Sequence, residues 1–439
     1  MIEFESLKSG LPTLAVVVKD RTSSLTGSVE DEFMGLVESA GLRGVTKYNL
    51  NIKTIHPRHL IGKGQLDKIA ELIQQSNIKQ LVLNVDIDAR HQNTISKYLE
   101  LPVHDRTAII LDVFARRART YEGKIQVEMA QIQYSSSRLV RGWTHLERQR
   151  GGQGLRGGPG EKQLELDKRL LRDQMKRLKK RFEKIKKQRN LSRSARRKAG
   201  FTTVSLVGYT SAGKSTLFNL LTSSDAQESE ALFTTLDPTI RKVSGMDIGG
   251  TNSFLIADTV GFIESLSKDL MQSFAATFGE IHDSDLLLHV VDINDKGMER
   301  KQEAVEALLD NLDASKIPTI MVYNKVDMQK DISFPDVSYD DAGNPTAVWI
   351  SATDKTNIKT LTKSINFFVD QFNTLPKEDY NDIDYDGDND SIDYDEPQNE
   401  PQNEPQNEPQ NEAQNNPHTT DHNAPREKAA RLPATTEKI

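Results

Sequence analysis

Between Val204 and Thr216 the chain places glycine, lysine and hydroxyl side chains at a spacing that can hold a phosphate group. The apolar run VSLV (204–207) forms the start of this segment, and the helix-like run LFNLL (217–221) follows its end. The candidate phosphate contacts are Gly208, Tyr209, Thr210, Ser211, Ala212, Gly213, Lys214, Ser215 and Thr216. Glycines allow tight turns whose N–H groups converge on a phosphate, while Lys214 can neutralise the β and γ phosphates and Ser215 can bind Mg²⁺. The spacing predicts a nucleotide site on a strand, loop and helix.

A second polar segment, NKVD (324–327), supplies groups that can select a base. It follows the apolar run PTIMVY (318–323), at the carboxyl end of a predicted strand. The Asp327 carboxylate can accept both N1–H and the exocyclic amine of guanine, a pair that adenine does not offer. Asn324 is expected to hold neighbouring loops, and the stem of Lys325 can lie along the base. The other predicted contacts near the base are Val326, Ser351, Ala352 and Thr353, with backbone N–H groups of Ser351 and Ala352 directed to guanine O6.

The first switch segment, LFTTLDPT (232–239), lies between these motifs and contains hydroxyl side chains that can bind a metal. Thr235 is predicted to be the second hydroxyl ligand of Mg²⁺, after Ser215. Thr234 is the alternative, because spacing alone cannot separate the two threonines. The other predicted nucleotide contacts of this segment are Phe233, Leu236 and Asp237.

The second switch segment, DTVGF (258–262), ends the apolar run SFLIAD (253–258). Asp258 can hold Mg²⁺ through a water, and the Gly261 N–H can reach the γ-phosphate. Thr259 and Val260 complete the predicted contacts, and Lys214, Thr235 and Gly261 are the predicted catalytic residues. Because Phe262 cannot orient a water, we expect slow intrinsic GTP hydrolysis that a partner accelerates.

The composition bounds the class of protein. The chain has 439 residues, enough for two or three domains, and no cysteine, which excludes disulfides and thiolate chemistry. Its N-terminus lacks a basic, apolar signal, and no apolar run approaches a membrane span. We therefore expect a cytoplasmic monomer without a transmembrane segment, and a peripheral association with a membrane stays open.

The net charge of −7 hides two regions of opposite charge. Residues 138–200 carry 22 Lys or Arg against 6 Asp or Glu, whereas residues 378–412 carry 14 Asp or Glu and no Lys or Arg. The basic region is predicted to form helices over 106–146 and 161–190 around a glycine-rich turn at 151–161. The expected seam between the helices consists of Leu164, Leu166, Leu170, Leu171, Met175, Leu178 and Phe182. Charge and glycine placement predict RNA contact through Arg148, Arg150, Arg156 and Lys162.

The order of apolar runs predicts an α/β fold in four parts. Residues 1–105 alternate strands (14–20, 48–55, 80–86) with helices (31–41, 65–75, 91–100), which indicates a small α/β domain with a largely parallel sheet. A basic helical hairpin over 106–198 and a GTPase domain over 199–375 with a mostly parallel sheet follow. Acidic residues and EPQN repeats then predict a disordered tail over 376–439.

Several segments resemble the HflX family of translation-associated GTPases, which are related to Obg. GYTSAGKSTLFN, FTTLDPT, ADTVGF, LLLHVVD and NKVD resemble the family's GTPase domain. LDVFARRARTYEGKIQVEMAQ, RLVRGWTHLERQRGG and RGGPGEKQLELDKRL resemble its helical hairpin and glycine-rich loop, so the likeness spans roughly residues 10–375. The resemblance implies a bacterial GTP-hydrolysing factor that binds the large ribosomal subunit and its ribosomal RNA. It further implies that the factor splits stalled ribosomes, notably as a response to heat stress.

The sequence departs from the family pattern at three places. Ser211 replaces the asparagine that would hold K⁺, which leaves K⁺ without its expected ligand. The loop reads RGGPG (156–160) where most members have one glycine fewer, and only the acidic tail follows the GTPase domain. Two other functions stay open from the residues alone: an RNA-binding ribosome assembly factor in which GTP is a timer, and an RNA-remodelling NTPase that uses ATP or GTP.

Overall fold

Alternating apolar strands and amphipathic helices build a parallel sheet in the N-terminal region, as a computed structural model of the chain shows. The structure describes residues 7–20, 27–52, 60–142, 159–223, 232–233, 235–244, 252–263, 267–329 and 331–374. The elements of this region are β1 (Thr13–Asp20), α1 (Gly27–Ser39), β2 (Val45–Ile52), α2 (Lys63–Gln75), β3 (Gln80–Leu83), α3 (Ala89–Leu99) and β4 (Val103–His104). The strands lie in the order β2-β1-β3-β4, and their described pairs are parallel. The predicted α/β unit with a largely parallel sheet is confirmed.

The prediction of one long helix over 106–146 is wrong, because the structure has two helices there, α4 (Arg106–Arg117) and α5 (Tyr121–Gly142). The break lies at Thr120, which caps α5. Its hydroxyl accepts the Gly123 N–H at 2.9 Å, and its carbonyl accepts the Lys124 N–H at 3.1 Å. A hydroxyl cap of this kind satisfies amide groups that a helix start leaves free, so it favours a new helix over continuation of the old one.

The second helix of the hairpin, α6 (Pro159–Lys198), is longer than the predicted 161–190. It begins at Pro159, whose fixed φ suits the first turn of a helix, and it is followed by Gly200 with φ +73°. The predicted turn therefore loses its last three residues to the helix, and its residues 151–158 lie outside the described part of the chain. We call α5 and α6 the helical hairpin.

The apolar seam of the helical hairpin differs from the predicted set of residues. The residues in this contact are Ile125 and Ile132 of α5, Leu171 and Leu178 of α6, and the partly buried Met129, Leu139, Met175, Phe182 and Ile185. Leu166 and Leu170 are 54% and 51% exposed, so their assignment to the seam is wrong. One face of a helix covers only three or four positions in every two turns, and these two leucines lie outside it. The side chain of Leu164 lies outside the described residues.

A second, larger sheet follows the helical hairpin. Its elements are β5 (Thr203–Val207), α7 (Lys214–Thr222), β6 (Thr239–Val243), β7 (Phe254–Asp258), α8 (Lys268–Ser273), α9 (Ala275–His282), β8 (Leu286–Asp292), α10 (Met298–Asn311), β9 (Thr319–Asn324), β10 (Val337–Tyr339), β11 (Pro345–Trp349) and α11 (Ile358–Thr374). The strand order is β10-β11-β9-β8-β5-β7-β6. Among the described strands only the two edge strands are antiparallel to their neighbours: β10 to β11, and β6 to β7. The predicted mostly parallel sheet is confirmed. The phosphate loop, the second switch segment and the NKVD segment lie at the carboxyl ends of β5, β7 and β9, where open α/β sheets bind ligands, whereas the first switch segment lies between α7 and β6.

Buried ion pairs attach α6 to the carboxyl end of α9. Arg189 and Arg196 contact Glu280 of α9 at 2.7 and 3.2 Å, and Arg193 contacts Asp283 at 2.6 Å. Glu280 is only 3% exposed. A buried carboxylate that lost its cations would destabilise the fold by about 3–5 kcal/mol, so these pairs fix α6 against α9. None of the helices in the described part of the chain is long and apolar enough to cross a membrane.

Candidate functional site

The loop between β5 and α7 has the backbone that the glycine spacing predicted. Gly213 has φ +97°, and a side chain there would overlap the Asn324 amide. α7 begins directly after it, at Lys214, so the positive end of the helix dipole faces the loop. Ser211 at the loop tip is exposed and also has a left-handed backbone, with φ +62°. The loop can therefore present consecutive backbone N–H groups to an anion.

The ammonium group of Lys214 is a buried positive charge inside this loop. Its Nζ donates to the carbonyl oxygens of Gly208 and Tyr209 at 2.8 and 2.7 Å, and the residue is only 6% exposed. Burial lowers the pKa of the Lys214 ammonium to about 8, although the nearby Asp258 carboxylate opposes this shift. A bound triphosphate would stabilise the charged form, because opposite charge raises the pKa of an amine.

Three oxygen-bearing side chains meet beside Lys214. The Ser215 and Thr235 hydroxyls each donate to Asp258 Oδ2, at 2.8 and 2.7 Å, and they lie 3.1 Å from each other. Asp258 is 3% exposed, its burial raises the pKa of its carboxyl, and its Oδ1 is buried without a hydrogen-bond partner. A buried carboxylate oxygen without a partner, next to two hydroxyls, fits the hard oxygen ligands that Mg²⁺ takes. Between the two candidate threonines, the structure brings Thr235 to this cluster, and Thr234 lies outside the described residues.

The second switch segment is hydrogen-bonded to the loop through its backbone. The Thr210 N–H donates to the Phe262 carbonyl at 2.8 Å, and the Phe262 N–H donates to the Gly208 carbonyl at 3.1 Å. A side chain at position 261 would come within 2.8 Å of Thr210 and 3.2 Å of Lys214 Nζ, so only glycine fits. The Phe262 ring is 2% exposed and packs against Phe278, so this position gives the site no water-orienting group.

Asn324 joins the loops around the candidate base site, as predicted. Its amide donates to the Ala212 carbonyl at 2.9 Å and accepts the Ala352 N–H at 3.0 Å. A guanine O6 would therefore share or replace the bond that Ala352 makes. Lys325 contacts Asp292 at 2.7 Å, and Asp327 lies half-buried in a short turn (Val326–Met328). Among the described residues none donates a hydrogen bond to the Asp327 carboxylate, so it is available to a ligand.

Other predicted contacts are not brought to this cluster by their side chains. Phe233, Leu236 and Val260 are 2–3% exposed and belong to an apolar cluster that also contains residues of α1 and α4. Thr259 donates to the Leu206 carbonyl at 2.6 Å, and Thr353 is exposed. The Asp237 carboxylate bonds to the start of α5 instead of the loop. Of the RNA candidates, Arg148, Arg150 and Arg156 lie outside the described residues, as does the side chain of Lys162 in α6.

A buried contact joins the loop to the N-terminal region, and it was not predicted from the sequence. The Tyr209 hydroxyl donates to Glu32 of α1, and Glu32 forms an ion pair with Arg106 at the start of α4. The Lys301 ammonium lies 4.7 Å from the centre of the Tyr209 ring. The signal was Tyr209 itself, a large ring with a polar tip in a loop of small residues, because a buried tyrosine hydroxyl needs a partner.

These features define a class of protein. A glycine loop leads from a parallel strand to a helix, an oxygen cluster adjoins its lysine, and an NKVD segment lies at the same edge of the sheet. This is the arrangement of a P-loop GTPase.

Three family descriptions match the chain: "GTP-binding GTPase N-terminal" over residues 28–115, "GTP-binding GTPase Middle Region" over residues 117–196, and "50S ribosome-binding GTPase" over residues 203–325. GTPase HflX of Escherichia coli (strain K12) is 46% identical over 73% of this chain and 74% of its own length. GTPase HflX of Flavobacterium psychrophilum is 35% identical over 88% of this chain and 96% of its own. The chain belongs to the HflX family, and it is a GTP-binding GTPase.

A GTP-binding protein from Sulfolobus solfataricus in complex with GDP is among the solved structures that match the chain. It is 22% identical, with a TM-score of 0.43 over 82% of this chain and 99% of its own.

Proposed function

We propose that this protein is a cytoplasmic, GTP-driven factor that binds the large ribosomal subunit and promotes the splitting or rescue of stalled ribosomes. The observation that carries the proposal is a strongly basic hairpin attached to the elements around the nucleotide site. α6 alone carries 17 Lys or Arg against 5 Asp or Glu, and its Arg189 and Arg196 hold Glu280 of α9. A phosphate-rich polymer suits such a charge. The family description "50S ribosome-binding GTPase" supports the large subunit as the partner.

In this proposal the residues of the site divide the work of phosphoryl transfer. Lys214 and the N–H groups of the loop bind the β and γ phosphates, and the Gly261 N–H binds the γ-phosphate. Ser215 and Thr235 would ligate Mg²⁺, Asp258 would hold it through a water, and the ion would supply positive charge against the transferred group. Asn324 fixes the loops, and the Asp327 carboxylate selects guanine.

Hydrolysis by this site needs help from a partner. Phe262 is buried, so it cannot orient the attacking water. A GTPase that lacks such a group is slow until another molecule orders its switches or adds a polar group. We assign this role to the ribosome, which the helical hairpin would bind.

Purified large ribosomal subunits are expected to raise the GTP hydrolysis rate by on the order of 10²-fold or more, since a group supplied by a partner has at least that effect in other GTPases. Phosphate release is measured at saturating GTP with increasing amounts of large subunits. Small subunits are the matched control and are expected to leave the rate within about twofold. A subunit that binds the protein without changing its rate would contradict the proposal.

A sucrose gradient separates ribosome splitting from the other functions. Splitting predicts free subunits when intact ribosomes are incubated with the protein and GTP. An assembly factor that uses GTP as a timer predicts binding and release of the large subunit with intact ribosomes unchanged. An RNA-remodelling NTPase predicts activity with ATP that survives loss of guanine recognition.

The lowered pKa of Lys214 predicts a proton uptake that accompanies nucleotide binding. Because the amine has a pKa of about 8 without nucleotide, part of the population is neutral at pH 8.5, and a bound triphosphate favours the charged form. GTP affinity is therefore expected to fall as the pH rises through 8. Titration calorimetry at pH 8.5 in two buffers of different ionisation enthalpy measures the uptake. Equal enthalpies in both buffers would contradict the assignment, and a Lys214→Met variant is the control without a titrating amine.

A further inference from the structure

Asp237 of the first switch segment contacts the helical hairpin directly. One oxygen of its carboxylate accepts the backbone N–H groups of Arg119 and Thr120, each at 2.8 Å, and the other accepts the Thr120 hydroxyl at 2.6 Å. These residues form the connection between α4 and α5, and Thr120 is the cap of α5. Asp237 thus adds a negative charge at the positive end of the α5 dipole, from a distant part of the chain.

The neighbouring α5 residue is shaped to receive this carboxylate. Gly123 lies in the first turn of α5, and a side chain at this position would overlap Asp237 Oδ1 and come within 3.2 Å of the Thr120 hydroxyl. A glycine inside a helix costs stability relative to alanine, by about 1 kcal/mol in general. The close approach of Asp237 gives a structural reason for glycine at this position.

Thr235 lies two residues before Asp237 and has a different partner. Its hydroxyl contacts Asp258 and Ser215, the oxygen cluster that we assign to Mg²⁺. The first switch segment therefore connects the metal cluster to the hairpin over two residues. A nucleotide that holds or releases Thr235 therefore also acts on Asp237, which holds the α5 cap Thr120.

An apolar contact holds the same segment on its other side. The Phe233 ring packs edge-on against Phe114 of α4, with 4.7 Å between ring centres, and Phe114 packs against Phe274 at 4.8 Å. Phe233 has a left-handed backbone, with φ +56°. With Phe233 on α4 and Asp237 on α5, the segment spans the junction of the two helices.

We propose that Asp237 is a positioning residue that couples the nucleotide state to the helical hairpin. When Thr235 binds Mg²⁺ beside GTP, Asp237 holds Thr120, the cap of α5, and fixes the start of the hairpin. When GDP replaces GTP and Thr235 is released, the contact of Asp237 with the cap Thr120 is lost and the start of α5 loosens. Asp237 acts on the hairpin, therefore, and not on the phosphates. The proposal rests on the metal-binding role of Thr235 proposed above, and not on the ribosome.

Hydrogen–deuterium exchange of the full chain tests the coupling without ribosomes. With Mg²⁺ and a non-hydrolysable GTP analogue, amides of residues 118–126 are expected to exchange about tenfold more slowly than with GDP, because the cap satisfies and orders the first turn. In Asp237→Asn, which loses the charge, this difference is expected to disappear. Asp313→Asn, an exposed substitution two residues after α10, is the matched control and should keep the wild-type difference.

Gly123→Ala tests the same contact from the α5 side. Alanine favours a helix, so the variant is expected to fold, and its methyl group displaces the Asp237 carboxylate. Basal GTP hydrolysis should stay within about twofold of wild type, because Gly123 is not part of the nucleotide site, while the nucleotide-dependent exchange of residues 118–126 is lost.

Protection of residues 204–216 in the same experiments reports nucleotide binding separately. If both nucleotides protect this loop in the wild type but residues 118–126 exchange equally in the two states, the coupling is refuted while the nucleotide site stands. The coupling is also refuted if both variants keep the wild-type difference. Absence of loop protection would refute the proposed nucleotide site, and the coupling with it.

Discussion

Replacing Lys214 by methionine is expected to lower GTP hydrolysis by on the order of 10³-fold, because a charge aimed at the transferred phosphate acts mainly in the transition state. Methionine has a similar length and no charge, so the substitution removes the ammonium and leaves the volume nearly unchanged. Phosphate release with Mg²⁺ and saturating GTP measures the loss.

The same variant is expected to fold at least as stably as the wild type when no nucleotide is present. Lys214 is 6% exposed, and burial lowers its pKa, which means that the folded protein disfavours the charged form. An apolar side chain removes this penalty, although the carbonyl groups of Gly208 and Tyr209 lose a donor. Thermal unfolding without nucleotide therefore separates lost chemistry from lost folding.

Lys359→Met is the matched control, because Lys359 is an exposed lysine of α11 far from the loop in sequence. It is expected to hydrolyse GTP at the wild-type rate. A Lys214→Met variant that keeps more than about a tenth of the wild-type rate would contradict the role of the cation, since loss of a transition-state contact has a larger effect.

Local composition was sufficient to predict the elements that carry the site. The apolar run 204–207 and the glycines after it predicted a strand, loop and helix, and the structure has β5, the loop and α7 in these places. Asp258 and Thr235 were predicted from short motifs, and the structure brings their side chains together at 2.7 Å. Such motifs are readable because each residue type serves a nearby backbone or ligand, with little dependence on distant segments.

Contacts between distant segments could not be predicted from the sequence. Asp237 was assigned to the nucleotide because its neighbours are, but its carboxylate holds the cap residue of a helix that begins 116 residues earlier. The break between α4 and α5 was missed for a related reason: apolar periodicity continues through Arg119, and only the cap at Thr120 marks the boundary. Likewise, Tyr209 gives no sign in the sequence of its partner Glu32.

Replacing Asp327 by asparagine is expected to weaken GTP binding by on the order of 10³-fold, because two hydrogen bonds from guanine to a carboxylate are lost. Xanthine differs from guanine in having a carbonyl oxygen in place of the exocyclic amine. The amide at position 327 can accept the N1–H of xanthine and donate to that oxygen. The variant should therefore prefer xanthosine triphosphate to GTP. Hydrolysis rates with the two nucleotides in competition measure this change of preference.

The switch in preference distinguishes base recognition from general damage. A variant that merely lost its local structure would bind both nucleotides poorly, whereas recognition predicts a gain for xanthosine triphosphate that accompanies the loss for GTP. Asp331→Asn, an exposed change in the same loop, is the matched control and should keep the preference for GTP. Because Asp327 accepts no hydrogen bond from the described residues, its substitution leaves none of their donors without a partner, and the expected effect falls on the ligand. Unchanged selectivity in Asp327→Asn would place guanine recognition elsewhere in the protein.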